Sequence, residues 1–153
     1  MANYEPSPNP ALRPKAAAGR ATRKEMEYLL DTPALLWLFS DQPLLSQRVR
    51  AMFLEPQTKL HVSSVSFWEI ALKWSLGKIE LRGSWLQGLE KERKANDIDW
   101  LEVKQAHLFS LLQLPFIHRD PFDRLLIAQA QAEGMVLVTA DHNIHIYNVL
   151  CLW

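Results

Sequence analysis

An α/β fold with a mainly parallel central sheet is what this sequence predicts. From Glu27 onward, short apolar runs alternate with longer stretches of helical periodicity, the pattern of strands joined by crossover helices. Helix-start and helix-stop residues fall in the gaps between those runs, among them Thr32-Pro33, Ser46, Asp120-Pro121 and Gly134. The chain of 153 residues, 48% of them hydrophobic, suffices for one domain built on one core.

The first element is a strand over residues 28–30. Thr32 follows as an N-cap with Pro33 in the first helical turn, where its missing N–H costs nothing, and the helix continues through Leu35, Leu36 and Leu38. Ser46 opens a second helix to about residue 54, and residues 60–63 form the next strand. Ser66 and Glu69 make an S-x-x-E capping box for a helix that stops near Gly77, and Ser84 with Gln87 repeats the device for a helix to about residue 95. A strand over 100–103 and a helix over 104–112 come next. Asp120 then caps a helix with Pro121 in its first turn, ending at Gly134. Residues 136–139 and 149–152 supply the last strands.

Residues 1–26 read differently. Pro6, Pro8, Pro10 and Pro14 are closely spaced, an alanine run precedes Gly19, and no apolar period is sustained, so this segment is expected to be a flexible tail ahead of a domain over 27–153. Met26 stands directly before the first strand and is a candidate alternative translation start. The tail carries five Lys/Arg against two Glu, net +3, and the remainder twelve against fifteen Asp/Glu, net −3. A mildly acidic domain does not advertise nucleic-acid binding through bulk charge, so any such function has to rest on a local site. The single cysteine, Cys151, excludes an internal disulfide and a thiol zinc site, which suits the cytoplasm. No apolar stretch is long enough to span a bilayer, and the amino terminus has no apolar signal region.

Four carboxylates fall where an α/β site is built. Asp31 follows the first strand, Glu69 and Asp123 lie near the starts of helices, and Asp141 follows the strand over 136–139. Ligands of open α/β sheets collect beyond the carboxyl ends of the strands. Carboxylates gathered there repel one another and are costly to desolvate without a cation, and an oxygen-only ligand set favours magnesium or manganese. Such an ion can activate water and stabilise charge on a phosphodiester, which makes phosphodiester hydrolysis the expected reaction class.

Leu29-Leu30-Asp31-Thr32 with the apolar 34–38 stretch, Val62-Ser63 with Trp68-Glu69-Ile70-Ala71, the run from Arg119 to Ala130 and Leu137-Val138-Thr139-Ala140-Asp141 resemble the four successive motifs of PIN-domain proteins, and the third is typical of the VapC-like branch. The resemblance covers about residues 27–153. It implies an α/β/α sandwich acting as a metal-dependent endoribonuclease, the toxin of a toxin-antitoxin pair held in check by a VapB-like antitoxin, and a homodimer. Carried over by position, Asp31, Glu69, Asp123 and Asp141 are the catalytic, metal-holding acids, with Thr32 and Thr139 in support. Pro33 departs from the pattern, since relatives of this branch often have His there.

Each acid alone has an ordinary explanation, because helix starts attract carboxylates through capping and the helix dipole. Asp120 is best explained as an N-cap, and His118, His142 and His145 as solvated loop residues. Arg119, Arg124, Lys73 and Lys78 are candidate phosphate contacts, with solvated helix faces the plain alternative. Trp37, Trp68 and Trp74 fit core or dimer contacts, leaving Trp85 and Trp153 as surface candidates for base stacking. The competing function is a catalytically silent PIN-like RNA-binding or interaction module, which would normally lack one of the four acids. A phosphatase of the haloacid type would need an Asp two residues after Asp31, where Pro33 stands. A DNA-directed nuclease shares the same metal chemistry.

Overall fold

The computed structural model describes residues 3–4, 13–14, 25–40 and 43–153. Its centre is a five-stranded sheet of β2 (Glu27–Leu30), β3 (Lys59–Ser63), β5 (Ile98–Leu101), β6 (Val136–Val138) and β7 (Cys151–Leu152). All pairings are parallel, in the order β5-β3-β2-β6-β7. The short strands β1 (Asn3–Tyr4) and β4 (Glu80–Leu81) form a separate parallel pair. Six α-helices are present among the described residues: α1 (Thr32–Phe39), α2 (Gln47–Leu54), α3 (Ser64–Ser75), α4 (Trp85–Ala95), α5 (Gln105–Gln113) and α6 (Pro121–Glu133). None is long and apolar enough to cross a membrane.

The expected α/β class therefore holds, and the single core does not. Successive side chains of a strand point to opposite faces, so Leu29 and Leu30 of β2 enter different clusters. Leu30 packs with Leu35, Val49, Leu60, Ile70, Leu89 and Val138; Leu29 packs with Val65, Leu101, Leu126, Ile127 and Leu137. Two cores, one on each face of the sheet, give the α/β/α layering.

Strand ends differ in detail from expectation. The strand expected over 100–103 lies at Ile98–Leu101, paired with β3 from Leu60 to Ser63. Ser46, Asp120 and Gly134 act as expected, the first two as N-caps and Gly134 in the left-handed conformation (φ 68°) that ends α6. Ser84 precedes α4 without a capping hydrogen bond. The N-cap of α1 is Asp31, whose Oδ1 accepts from the Ala34 amide at 2.8 Å, and Thr32 instead donates to Ser66 Oγ at 3.0 Å. Ser66 is no cap either: Ser63 caps α3, accepting from the Val65 amide at 3.0 Å. Glu69 consequently sits in the second turn, outside any capping box.

Most of the expected tail lies outside the described residues. Within it, Arg13 is buried, its Nε donates to Phe53 O at 2.7 Å, and its other guanidinium nitrogens reach the carbonyls of Glu55, Thr58 and Asn96.

Candidate metal centre

Chain order reverses at β2. The chain steps from β2 to β3 and β5 on one side, then returns to place β6 and β7 on the other. The crevice beyond the carboxyl end of β2 is the topological switch point of the sheet, where α/β proteins bind ligands. Asp31 follows β2 there, α3 leaves β3 with Glu69 on its buried side, and Thr139 and Asp141 follow β6. An edge-on contact between Trp68 and Phe122, ring centroids 4.9 Å apart, joins the starts of α3 and α6. The residues next in sequence are Glu69 and Asp123.

The four acids share one electrostatic environment. Burial, opposed by hydrogen bonds from Thr139 and the Ala34 amide and reinforced by the charges of Glu69 and Asp141, pushes the Asp31 carboxyl up to about 6. Burial and then the charges of Asp120, Glu69 and Asp31 push Asp123 up to about 7. At Asp141 burial acts upward, but hydrogen bonds from His118 and the Asn143 amide outweigh it and hold the carboxyl below its ordinary range. The Thr139 hydroxyl also accepts from the Asp141 amide at 3.1 Å, so one side chain ties Asp31 to Asp141.

Glu69 has the most telling surroundings. Only 4% exposed, it pairs through Oε2 with Lys73, while Oε1 is buried with no hydrogen-bond partner among the described residues. A buried carboxylate oxygen left bare is costly unless something absent from the protein chain fills the place. A hard divalent cation suits an all-oxygen cluster of this charge, and the residues fit it. Lys73 itself is partly buried, which lowers its pKa, but the Glu69 hydrogen bond and the charges of Glu69, Asp120 and Asp123 raise it on balance.

His118 corrects the expectation of a solvated loop residue. Its ring is largely buried, with Nε2 at 2.9 Å from Asp141 Oδ2 and 3.4 Å from Asp123 Oδ2. Ligand atoms of His118, Asp123 and Asp141 lie within 4.8 Å of one another, close enough for a shared ion. The opposite ring nitrogen argues for another role. Nδ1 accepts the Asp120 amide at 3.0 Å, which assigns the proton to Nε2, so the ring donates to the carboxylates. To ligate through Nε2 the ring would have to turn a protonated Nδ1 toward the Asp120 N–H. His118 is thus a strut for Asp141 and Asp123. Its contact with Asp141 spans 23 positions, and no sequence pattern announced it. Lys73, expected as a candidate phosphate contact, lies one helical turn after Glu69 and pairs with its carboxylate.

Asp120 caps α6, accepting from the Phe122 and Asp123 amides, as expected. His142, His145, Arg119 and Lys78 are exposed. Arg124 is engaged away from the acids, donating to Pro115 O at 2.9 Å and lying over the Phe116 ring. Trp68 is 58% exposed and Trp74 51%, so neither is core. Trp153, expected at the surface, packs edge-on against Trp37 at 5.6 Å, and Trp85 leans on the same core.

Solved structures share this fold, among them three toxin-antitoxin complexes. VapBC2 from Rickettsia felis, bound to a DNA fragment from its promoter, superposes with a TM-score of 0.61 at 17% identity, covering 83% of this chain and 98% of that one. FitAcB from Neisseria gonorrhoeae gives 0.59 at 17% identity, with 82% and 96% covered. VapBC-1 from nontypeable Haemophilus influenzae gives 0.59 at 16%, with 83% and 97% covered. Among curated proteins, none matches the sequence significantly. The sequence profile of the PIN domain matches residues 28–149, a span that holds every acid of the cluster, and the chain belongs to the PIN domain family.

Proposed function

We propose that this protein is a magnesium- or manganese-dependent endoribonuclease of the VapC kind, the toxin of a pair whose VapB-like antitoxin restrains it in the cytoplasm. The observation that carries the reading is the acid cluster, with Asp31 and Glu69 buried and Glu69 Oε1 left bare among the described residues. Asp31, Glu69, Asp123 and Asp141 would hold the ion. When bound, it supplies Lewis acidity toward a phosphodiester and lowers the pKa of water. Thr139 holds Asp31 and Asp141 in register, and His118 fixes Asp141 by donating from Nε2. Thr32 acts at one remove, tying the start of α1 to α3 through Ser66. The domain doing this chemistry is residues 27–153.

Partners are inferred from the VapBC likeness together with the surface. Trp68 and Leu72 on α3, Leu76 at its C-cap, and Phe109 and Leu112 on α5 leave apolar side chains in solvent that a second copy or an antitoxin segment would cover. Single-stranded RNA is the proposed substrate, because a backbone phosphate can enter a cleft of this kind without a duplex having to open.

The test is cleavage of mixed single-stranded RNAs and DNAs with magnesium, manganese or EDTA, beside Asp31→Asn/Asp123→Asn of equal folded content. RNA cut only with metal, and only by the wild type, is the expected result. A folded, metal-loaded wild type that matches the double variant on every substrate overturns the nuclease reading.

A further inference from the structure

Lys73 carries a charge of the same sign as the expected metal on a stem that lets it leave the acids. It follows Glu69 by four positions on α3, so both side chains project from one face of the helix. Its Nζ donates to Glu69 Oε2. The two ends of that pair differ sharply in their surroundings: the Glu69 side chain is 5% exposed and that of Lys73 is 40% exposed. The carboxylate is therefore fixed in the interior, and the ammonium reaches in from the rim.

One oxygen of Glu69 is taken by this lysine and the other has no partner among the described residues. A divalent cation on Glu69 would stand beside the ammonium, and two cations so close repel. Relief is available without moving the helix, because a flexible four-carbon stem can swing a solvated ammonium outward. The rim is where a nucleic-acid backbone has to pass. Arg124, another basic candidate for a phosphate contact, is engaged with Pro115 and Phe116.

We propose that Lys73 is the cleft's own counter-ion, which gives up Glu69 when a divalent cation binds and then offers its charge to a backbone phosphate of the RNA. The inference rests on the nuclease reading above and deepens it. A structural helix-surface ion pair would behave otherwise, since removing its lysine would leave metal affinity unchanged or weaken it.

The experiment measures Mn2+ binding by calorimetry, and cleavage kinetics on one single-stranded RNA, for the wild type, Lys73→Gln and Lys73→Arg. Lys73→Met, which keeps the apolar stem, serves as a second neutral variant. Both neutral variants should bind Mn2+ roughly twofold to fivefold more tightly, the scale of a partly exposed pair removed. Their KM for RNA should rise while kcat changes less, and Lys73→Arg should return both quantities toward wild type. Opposite movement of metal affinity and RNA affinity is a signature that loss of packing does not produce. Folded neutral variants that bind Mn2+ no better than wild type overturn the inference and leave the nuclease reading standing. Absence of any Mn2+ binding that depends on Asp31 and Asp123 overturns both.

Discussion

Replacing Asp31 by Asn should make the metal-free protein more stable at alkaline pH. The Asp31 carboxyl is pushed from its ordinary 3.8 up to about 6, first by burial and further by Glu69 and Asp141. The folded state then holds its proton more tightly than the unfolded chain. Between those two pH values the unfolded chain binds fewer protons, so stability falls as pH rises through the window, and the loss is complete above about 6. A displacement of that size corresponds to ~3 kcal/mol against the ionised folded form. Asn keeps an Oδ1 that can accept the Ala34 amide, so the cap of α1 survives while the charge is removed. Coupling to the neighbouring carboxylates shares the effect among them, which leaves roughly 2 kcal/mol for the substitution. Urea unfolding followed by tryptophan fluorescence in EDTA should show the variant ahead at pH 8 by that amount, or by about 4–10 °C in Tm. The gap should narrow as the pH falls through this window and close only below 3.8, where the unfolded carboxyl is protonated as well. An Asn variant less stable than wild type at pH 8, or a gap that persists on acidification, would refute the reasoning.

Manganese should raise the Tm of the wild type at pH 7.5, by about 2.7 kcal/mol of stability at a hundredfold excess over Kd, and should leave Asp31→Asn/Asp123→Asn unchanged; a shift of equal size in both would place the ion elsewhere. His118→Ala should weaken Mn2+ binding roughly tenfold or more with the circular dichroism spectrum intact, because Asp141 loses the donor that orients it; wild-type affinity would show that the strut is dispensable. Arg13→Ala should lower stability by about 2 kcal/mol in urea, since the carbonyls of Phe53 and Thr58 lose a charged donor; a chain begun at Met26 should lose at least as much.

Local chemistry was the legible part. Apolar runs marked the central strands, and Ser46, Asp120-Pro121 and Gly134 marked helix ends, because each acts on backbone groups within a few residues of itself. Where two acceptors were adjacent, sequence could not rank them. Thr32 lost the cap to Asp31 because its hydroxyl is claimed by Ser66, 34 positions away. Three serines stood before Glu69, and the start of α3 was decided by β3, whose pairing with β5 runs to Ser63. That Asp31, Glu69, Asp123 and Asp141 would converge was readable from the switch-point rule, yet the contacts that support them were not. His118 needs Asp141, and Trp153 needs Trp37, contacts that exist only once the sheet has brought distant segments together.

α3 has one further property. Its Val65 belongs to the core on one face of the sheet and its Ile70 to the core on the other, with Glu69 seated between them. The helix is a beam resting on two supports, and the carboxylate is carried near its middle. A cavity cut in either core lets the beam settle, so residues remote from the crevice acquire leverage over cation binding. Trp68, Leu72 and Leu76 lie along its outer side in solvent. Whatever leans on that row bears on Glu69 without entering the cleft.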